Sequence, residues 1–379
     1  MFKYHKVRDN QLKNYKLEEV IEFIRNGINV KQSEKMIGYP ITRIETISNG
    51  VIDIERVKYS QILDADLERY RLQNGDILFS HINSTEHIGK TAIYEGIPEV
   101  LIHGINLLLL RPRQNIAFPK YLLYLLKSNN IREYFSTRCK KAVNQSSLNQ
   151  QDIKSIKISL PDLNIQQKTA SILEKCESSI EKRKEANRLT DEFLKSTFLK
   201  MFKETYLIKN MTEIFYIKTG KLNANAAKEN GLYPFFTCSR KTFAINDFAF
   251  DQEALILSGN NATAEYSVKH YKGKFNAYQR TYILTLKDSN NSYEFFKISL
   301  ENQLNILKNR SIGSNTKYLT MDIMERIQLV VPPIELQHKF ADIVQKVEKL
   351  KEKQKESEKE LNNLFNSLMQ KSFKGELFQ

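Results

Sequence analysis

The sequence predicts an α+β protein of two tandem globular domains, each followed by a long helix. The two helices are expected to form an antiparallel coiled coil, and the whole chain an internal repeat with pseudo-twofold character. Three observations lead there. A segment recurs at an offset of 171 residues, each copy opens a long apolar-periodic run, and each run follows a stretch of mixed strand and helix character. With 379 residues the chain is long enough for two ordinary domains and too long for one small core.

The repeat is read directly. Leu160-Pro161-Asp162-Leu163-Asn164-Ile165-Gln166-Gln167-Lys168 aligns with Val331-Pro332-Pro333-Ile334-Glu335-Leu336-Gln337-His338-Lys339. Without a gap, Ala170 then meets Ala341, Ile172 meets Ile343, Lys175 meets Lys346, and Phe202-Lys203 meets Phe373-Lys374. A fixed offset marks a duplicated structural unit. The resulting divisions are a globule over 1–162, a helical region over 163–203, a globule over 204–333 and a helical region over 334–379. The globules also correspond at their edges. Leu148 to Ile153 resembles Leu319 to Ile323, and Leu17 to Gly27 resembles Met211 to Gly220.

Each helical copy starts with proline just ahead of an apolar run, as a chain passing from an extended segment into a helix does. The first run places Ile172, Leu173, Cys176, Ile180, Leu189, Phe193, Leu194 and Phe198 at three- and four-residue steps. The second places Phe340, Ile343, Val344, Val347, Leu350, Leu361, Leu364, Phe365 and Leu368 in the same way. Both stripes are interrupted by charge, over 179–187 and 351–360. Two separate surface helices with solvated middles would show that too, but two matched stripes in one chain can bury each other.

Within the globules, 76–80, 102–110, 254–258, 280–286 and 328–331 read as strands, and 121–127 and 292–307 as helices. The 58 basic residues exceed the 44 acidic ones, a formal charge of +14. By segment the surplus is +6 in 1–162, +3 in 163–203, +4 in 204–333 and +1 in 334–379. Such a balance favours a polyanionic partner, and 10% aromatic content argues against a disordered basic tail. Cys139, Cys176 and Cys238 are far apart, with no ligand-like spacing, which fits reduced thiols in a cytoplasm. The first residues lack the apolar core and small-residue cleavage site of a secretory signal, and no window approaches a membrane span.

Catalytic motifs are absent from the pattern. Ile88-Gly89-Lys90-Thr91 ends like a phosphate-binding loop, but Ser84 stands where that motif needs glycine. The sequence contains no GxGxxG, no Asn/Asp-Pro-Pro-aromatic, no GxSxG and no HExxH. His81 and His87 are the one close histidine pair among six histidines, without partners at metal-ligand spacing. The chain therefore reads as a non-enzyme with no metal site.

Four polar clusters stand out instead. Ser80 to Glu86 follows a strand in the first globule, and Arg138 to Ser147 joins bases to amides and hydroxyls. Residues 101–150 carry eight basic groups and one acid, Glu133. In the second globule Ser258 to Thr263 also follows a strand, and Asn309 to Lys317 parallels the basic run. Asn and Gln pair with adenine, Arg with guanine, and Ser, Thr and Lys hold phosphates. Any one such run alone also fits a plain turn.

The whole chain resembles the specificity (S) subunit of type I restriction-modification enzymes. The residues that carry this are the two Pro-x-x-x-x-Gln helix starts at Pro161–Gln166 and Pro332–Gln337, and the ending Ser372-Phe373-Lys374-Gly375-Glu376-Leu377-Phe378. Asn74 to Ser80 with Ile88-Gly89-Lys90 matches a recurrent recognition-domain strand and loop. Lys218 to Asn223, Tyr233 to Ser239 and Gly273 to Thr281 look like a frequent type of second domain. His338 departs from the pattern where a second Gln is usual, and Lys168 and Lys339 stand where Arg is frequent.

The resemblance implies a non-catalytic reader of double-stranded DNA with a bipartite target, one half for each globule. Two modification subunits would dock on the helical regions and methylate adenine N6, and restriction subunits would translocate and cleave. S-adenosylmethionine, ATP and magnesium are then expected on those partners and none in this chain. A helix from Ile165 to Lys203 has 39 residues; at about 1.5 Å per residue it spans roughly 58 Å, one to one and a half DNA turns. Asn144, Gln145, Ser146 and Ser147, and Asn260, Asn261, Gln279, Arg280, Ser314, Asn315 and Lys317, are the expected DNA contacts, with Arg138, Lys140 and Lys141 on phosphates. Rival readings are a stand-alone DNA-binding regulator with a coiled-coil spacer, a coiled-coil scaffold without DNA, and an enzyme with an unrecognised site.

Overall fold

The computed structural model describes residues 12–83, 88–142, 145–203 and 206–377, without the side chains at 64, 83, 140–142, 145 and 146. The chain divides into two compact units, residues 1–182 with 358–379, and residues 183–357. Both long helices, Leu163–Met201 and Ile334–Lys374, contribute to both units.

The first unit is built on an antiparallel sheet in the order Ile21–Asn26, Leu108–Pro112, Ile77–Phe79, Thr91–Ile93. Against one face pack the helix Pro119–Lys127 and a core that includes Leu17, Phe79, Leu110, Tyr121 and Leu122, all essentially inaccessible. Full burial of such side chains contributes about 1.5–3 kcal/mol each. The opposite face packs on Ile47, Leu72, Tyr94 and Leu101.

The second unit repeats the order, with the last three strands longer: Phe215–Thr219, Thr281–Leu286, Phe250–Ser258, Val268–Ala277. Two further strands, Tyr233–Phe236 and Phe243–Ile245, extend it, the first of them parallel to Val268–Ala277. The helix Tyr293–Arg310 covers one face, with Phe295 and Phe296 buried.

The edges of the repeat are structural. A short strand pairs with the segment before each proline: Lys13–Lys16 with Lys157–Leu160, and Leu207–Asn210 with Gln328–Val331. Each then turns through one helical turn, Leu17–Val20 or Met211–Ile214. Glu19 and Glu213 reach back to accept from the backbone N–H groups of Lys16 and Asn210. The side chains of Asn149 and Thr320 cap Gln150–Lys154 and Met321–Glu325.

In the second unit the two long helices meet in opposite directions. Phe198 packs edge-on against Phe340, Asp191 pairs with Lys351 at 2.8 Å, and Gln354 donates to Thr190 Oγ1 at 3.0 Å. In the first unit the Cys176 thiol points at the Leu361 carbonyl.

Two expectations are corrected. The apolar run 102–110 is not one strand: the strand is Leu108–Pro112, because the buried imidazole of His103 closes a turn on the Leu107 carbonyl at 2.9 Å. Leu189, Phe193, Leu350 and Leu364, placed on the stripes, are about half exposed. Steps of three and four residues cover a face wider than one partner helix can bury.

Candidate nucleic-acid interface

The separate polar clusters of each globule are brought together by a short ladder. In the first unit the chain leaves Ile77–Phe79 through Ser80 and His81, and Ile82–Asn83 pairs antiparallel with Gln145–Ser147. Asn83 stands opposite Ser146, and Ile82 opposite Ser147. Gln145–Ser147 also pairs with Lys140–Ala142. The Leu148 N–H donates to the His81 carbonyl at 2.8 Å.

The second unit does the same. After Phe250–Ser258 and Gly259, Asn260–Asn261 pairs antiparallel with Lys317–Tyr318, Asn260 opposite Tyr318 and Asn261 opposite Lys317. The Leu319 N–H donates to the Gly259 carbonyl at 2.8 Å. Ser146, Ser147 and Leu148 lie 171 positions before Lys317, Tyr318 and Leu319, so the two ladders keep one register.

Of the expected contacts in the first unit, Ser147 is half-buried in the ladder. Arg138 is exposed at the end of the helix Asn129–Arg138, its guanidinium 5.3 Å from the Tyr134 ring. Lys140, Lys141, Gln145 and Ser146 have ladder backbone, but their side chains lie outside the described residues, and Asn144 lies wholly outside them. In the second unit Gln279 and Arg280 adjoin the ladder, because Gly259 N–H donates to the Arg280 carbonyl at 2.9 Å. The Arg280 guanidinium lies 5.9 Å from the Tyr318 ring, inside cation–π range. Gly259, Gln279, Arg280, Tyr282 and Leu319 line an open recess of about 300 Å³.

Ser314 and Asn315 are exposed at the tip of a hairpin closed by the Ile312–Tyr318 bridge. Asn260 is half-exposed. Asn261 is engaged in its own turn, its Oδ1 accepting from both the N–H and the hydroxyl of Thr263 at 2.8 Å. For Asn261 the turn role of the residue type is realised.

Sequence reasoning missed two amide pairs beside the ladders. Gln150 donates to Asn26 Oδ1 at 2.8 Å, and Gln279 to Asn223 Oδ1 at 3.0 Å. Partners 124 and 56 residues apart leave no local signal. Burial holds His81 down at about 4, so a neutral imidazole stands next to Asn26 Nδ2. Among the described residues no group of three or more His, Cys, Asp or Glu could hold a metal ion, and no helix is long and apolar enough to cross a membrane.

A family model described as the type I restriction modification DNA specificity domain matches residues 10–190 and again 203–363. The chain belongs to this family. Over 158 residues, 41% of its length, this specificity-domain chain is 56% identical to the putative type I restriction enzyme MjaX specificity subunit of Methanocaldococcus jannaschii. Over 172 residues, 44% of its length, it is 33% identical to the type I restriction enzyme EcoDI specificity subunit of Escherichia coli. Each match spans 37% of the relative's own length. The crystal structure of a type I restriction-modification S subunit from M. genitalium superposes with a TM-score of 0.64 over 98% of both chains, at 14% identity. A chain from a study of assembly and conformational transition in the type I R-M system gives 0.52 over 99% of this chain and all of that one, at 18% identity. These are likenesses of fold.

Proposed function

We propose that the chain is the DNA sequence-specificity subunit of a type I restriction-modification complex, and that each globule reads one half of a bipartite duplex target. The observation that carries this reading is the repeated ladder. It twice pairs strand positions that carry amide, hydroxyl and basic residues, in one backbone register, as a two-part reader requires. The basic surplus of both globules supplies attraction to phosphate.

In this reading the two long helices are an antiparallel coiled-coil spacer, and their length fixes the unread gap between the half-sites. Their opposed contacts at Phe198–Phe340 and Thr190–Gln354 support it. Two modification subunits dock on the helical regions, where Leu189, Phe193 and Leu350 leave apolar surface uncovered. Restriction subunits complete the complex. S-adenosylmethionine, ATP and magnesium belong to those partners. Lys90, after the Gly89 turn, donates to the Ser48 carbonyl at 2.6 Å.

The test is duplex binding by the chain across a salt series. Arg280→Ala should lose preference at one base position, and Arg138→Ala should weaken all sequences and flatten the salt slope. Unchanged affinity and base preference in Arg280→Ala would remove that residue from the interface, and salt-independent binding of the native chain would remove the function.

A further inference from the structure

The two amide pairs do more than occupy the ladder edges. A primary amide carries one acceptor oxygen and two N–H groups. Gln150 gives one N–H to Asn26 Oδ1 at 2.8 Å, and Gln279 gives one to Asn223 Oδ1 at 3.0 Å. Each glutamine is left with one acceptor and one donor. The major-groove edge of adenine offers the complement, N7 as acceptor and N6–H as donor.

We propose that Gln150 and Gln279 each read one adenine in the major groove, and that Asn26 and Asn223 are the positioning residues that hold them ready. This rests on the DNA-reading function proposed above and names its chemistry.

The placement supports it. Asn26 is fixed in turn, its Nδ2 lying 3.3 Å from the Ile105 carbonyl and 3.4 Å from His81 Nε2. His81 is the ladder residue whose carbonyl receives Leu148 N–H. Gln279 is anchored by its own N–H on the Leu222 carbonyl at 2.9 Å, and its neighbour Arg280 receives Gly259 N–H, Gly259 being the counterpart of His81. Both pairs therefore border the same point of the two ladders.

They are not inherited from the repeat: Met321 stands 171 positions after Gln150. Each unit reaches the same arrangement from different elements. An amide pair open to water adds little to stability, because water satisfies the same groups and holding a glutamine in one rotamer costs entropy. A ligand that uses the ordered amide explains the repetition better.

The test is selection from a randomised duplex pool by the native complex, captured through a tag on this chain. The wild type should enrich a two-part motif with adenine in each half. Gln150→Ala should lower the preference at one adenine of one half by roughly ten- to hundredfold, and Gln279→Ala at one adenine of the other half, with all other positions kept. Asn26→Ala should weaken the Gln150 position only. Gln150→Glu should turn that position toward cytosine, whose N4–H₂ a carboxylate accepts; this gain of preference needs a folded protein. Variants that keep the wild-type motif at every position would overturn the amide reading while leaving the DNA reader intact. A wild type that enriches no motif would overturn both.

Discussion

The side-chain carbonyl of Gln166 accepts a hydrogen bond from the backbone N–H of Phe118 at 2.8 Å. It thereby ties the start of the first long helix to the start of Pro119–Lys127. The amide nitrogen goes to the carbonyls of Ile116 and Pro161 at 2.9 and 2.8 Å. Gln337 does the same in the second unit, with Ser292 N–H at 3.1 Å, Asn291 Oδ1 at 2.7 Å and the Pro332 carbonyl at 2.9 Å. Both glutamines are buried. Gln166→Ala or Gln337→Ala strands three polar groups at once, and each is expected to lower unfolding free energy by about 2–4 kcal/mol, measured by urea titration.

Gly27 and Gly220 end corresponding strands at points where another backbone comes close. A Cβ on Gly27 would lie 2.2 Å from the His103 carbonyl oxygen, and on Gly220 2.0 Å from that of Ala277. Alanine at either position forces backbone apart, with an expected loss of about 2 kcal/mol or more. Hydrogen exchange should show the loosening at Ile28 for Gly27→Ala and at Thr281 for Gly220→Ala.

His103 is fully buried, and burial lowers its pKa to about 4, against the hydrogen bond to Leu107 that raises it. The unfolded chain titrates near 6.5, so the native state favours the neutral ring. Its contribution is fully present above pH about 6.5, falls as the pH drops toward about 4 and is lost below, with a span of about 3 kcal/mol. Melting temperatures from pH 7.5 to 4.5 should fall through that window. His103→Gln, which keeps a donor for the Leu107 carbonyl, should flatten part of the slope.

Thr190 and Gln354 form a buried polar bridge between the long helices, and Gln354 Oε1 has no partner among the described residues. The Thr190 hydroxyl also donates to the Ala186 carbonyl at 2.7 Å, but Gln354 Nε2 loses its acceptor when that hydroxyl is removed, so Thr190→Val should destabilise by about 1–2 kcal/mol. The double variant Thr190→Val, Gln354→Leu should recover that loss or exceed it, as polar bridges in helix pairs favour register over stability. A thermal double-mutant cycle measures both.

The repeat was legible because its carriers are local. Pro161 with Gln166, and Leu148 with the cap Asn149, keep the offset of 171 that places Pro332, Gln337, Leu319 and Thr320. The first long helix has the expected 39 residues, beginning at Leu163 rather than Ile165. What the pattern could not show depends on distant pairings. Nothing near Ile82 announces Ser147 as its partner, and Asn26 meets Gln150 across 124 residues. The run 102–110 misled because a largely apolar stretch reads as a buried strand even where His103 folds it into a turn. Asn261 shows the other limit, since an amide that suits a base also suits its own loop.

The most direct test of the two-reader account is genome-wide adenine methylation in the source cell, compared with a strain in which residues 1–162 are replaced by the corresponding segment of a related chain. A bipartite methylated motif that changes in one half and keeps the other half and its spacing is the expected result. An unchanged methylome, or a motif altered in both halves, would contradict the assignment of one half-site to each globule.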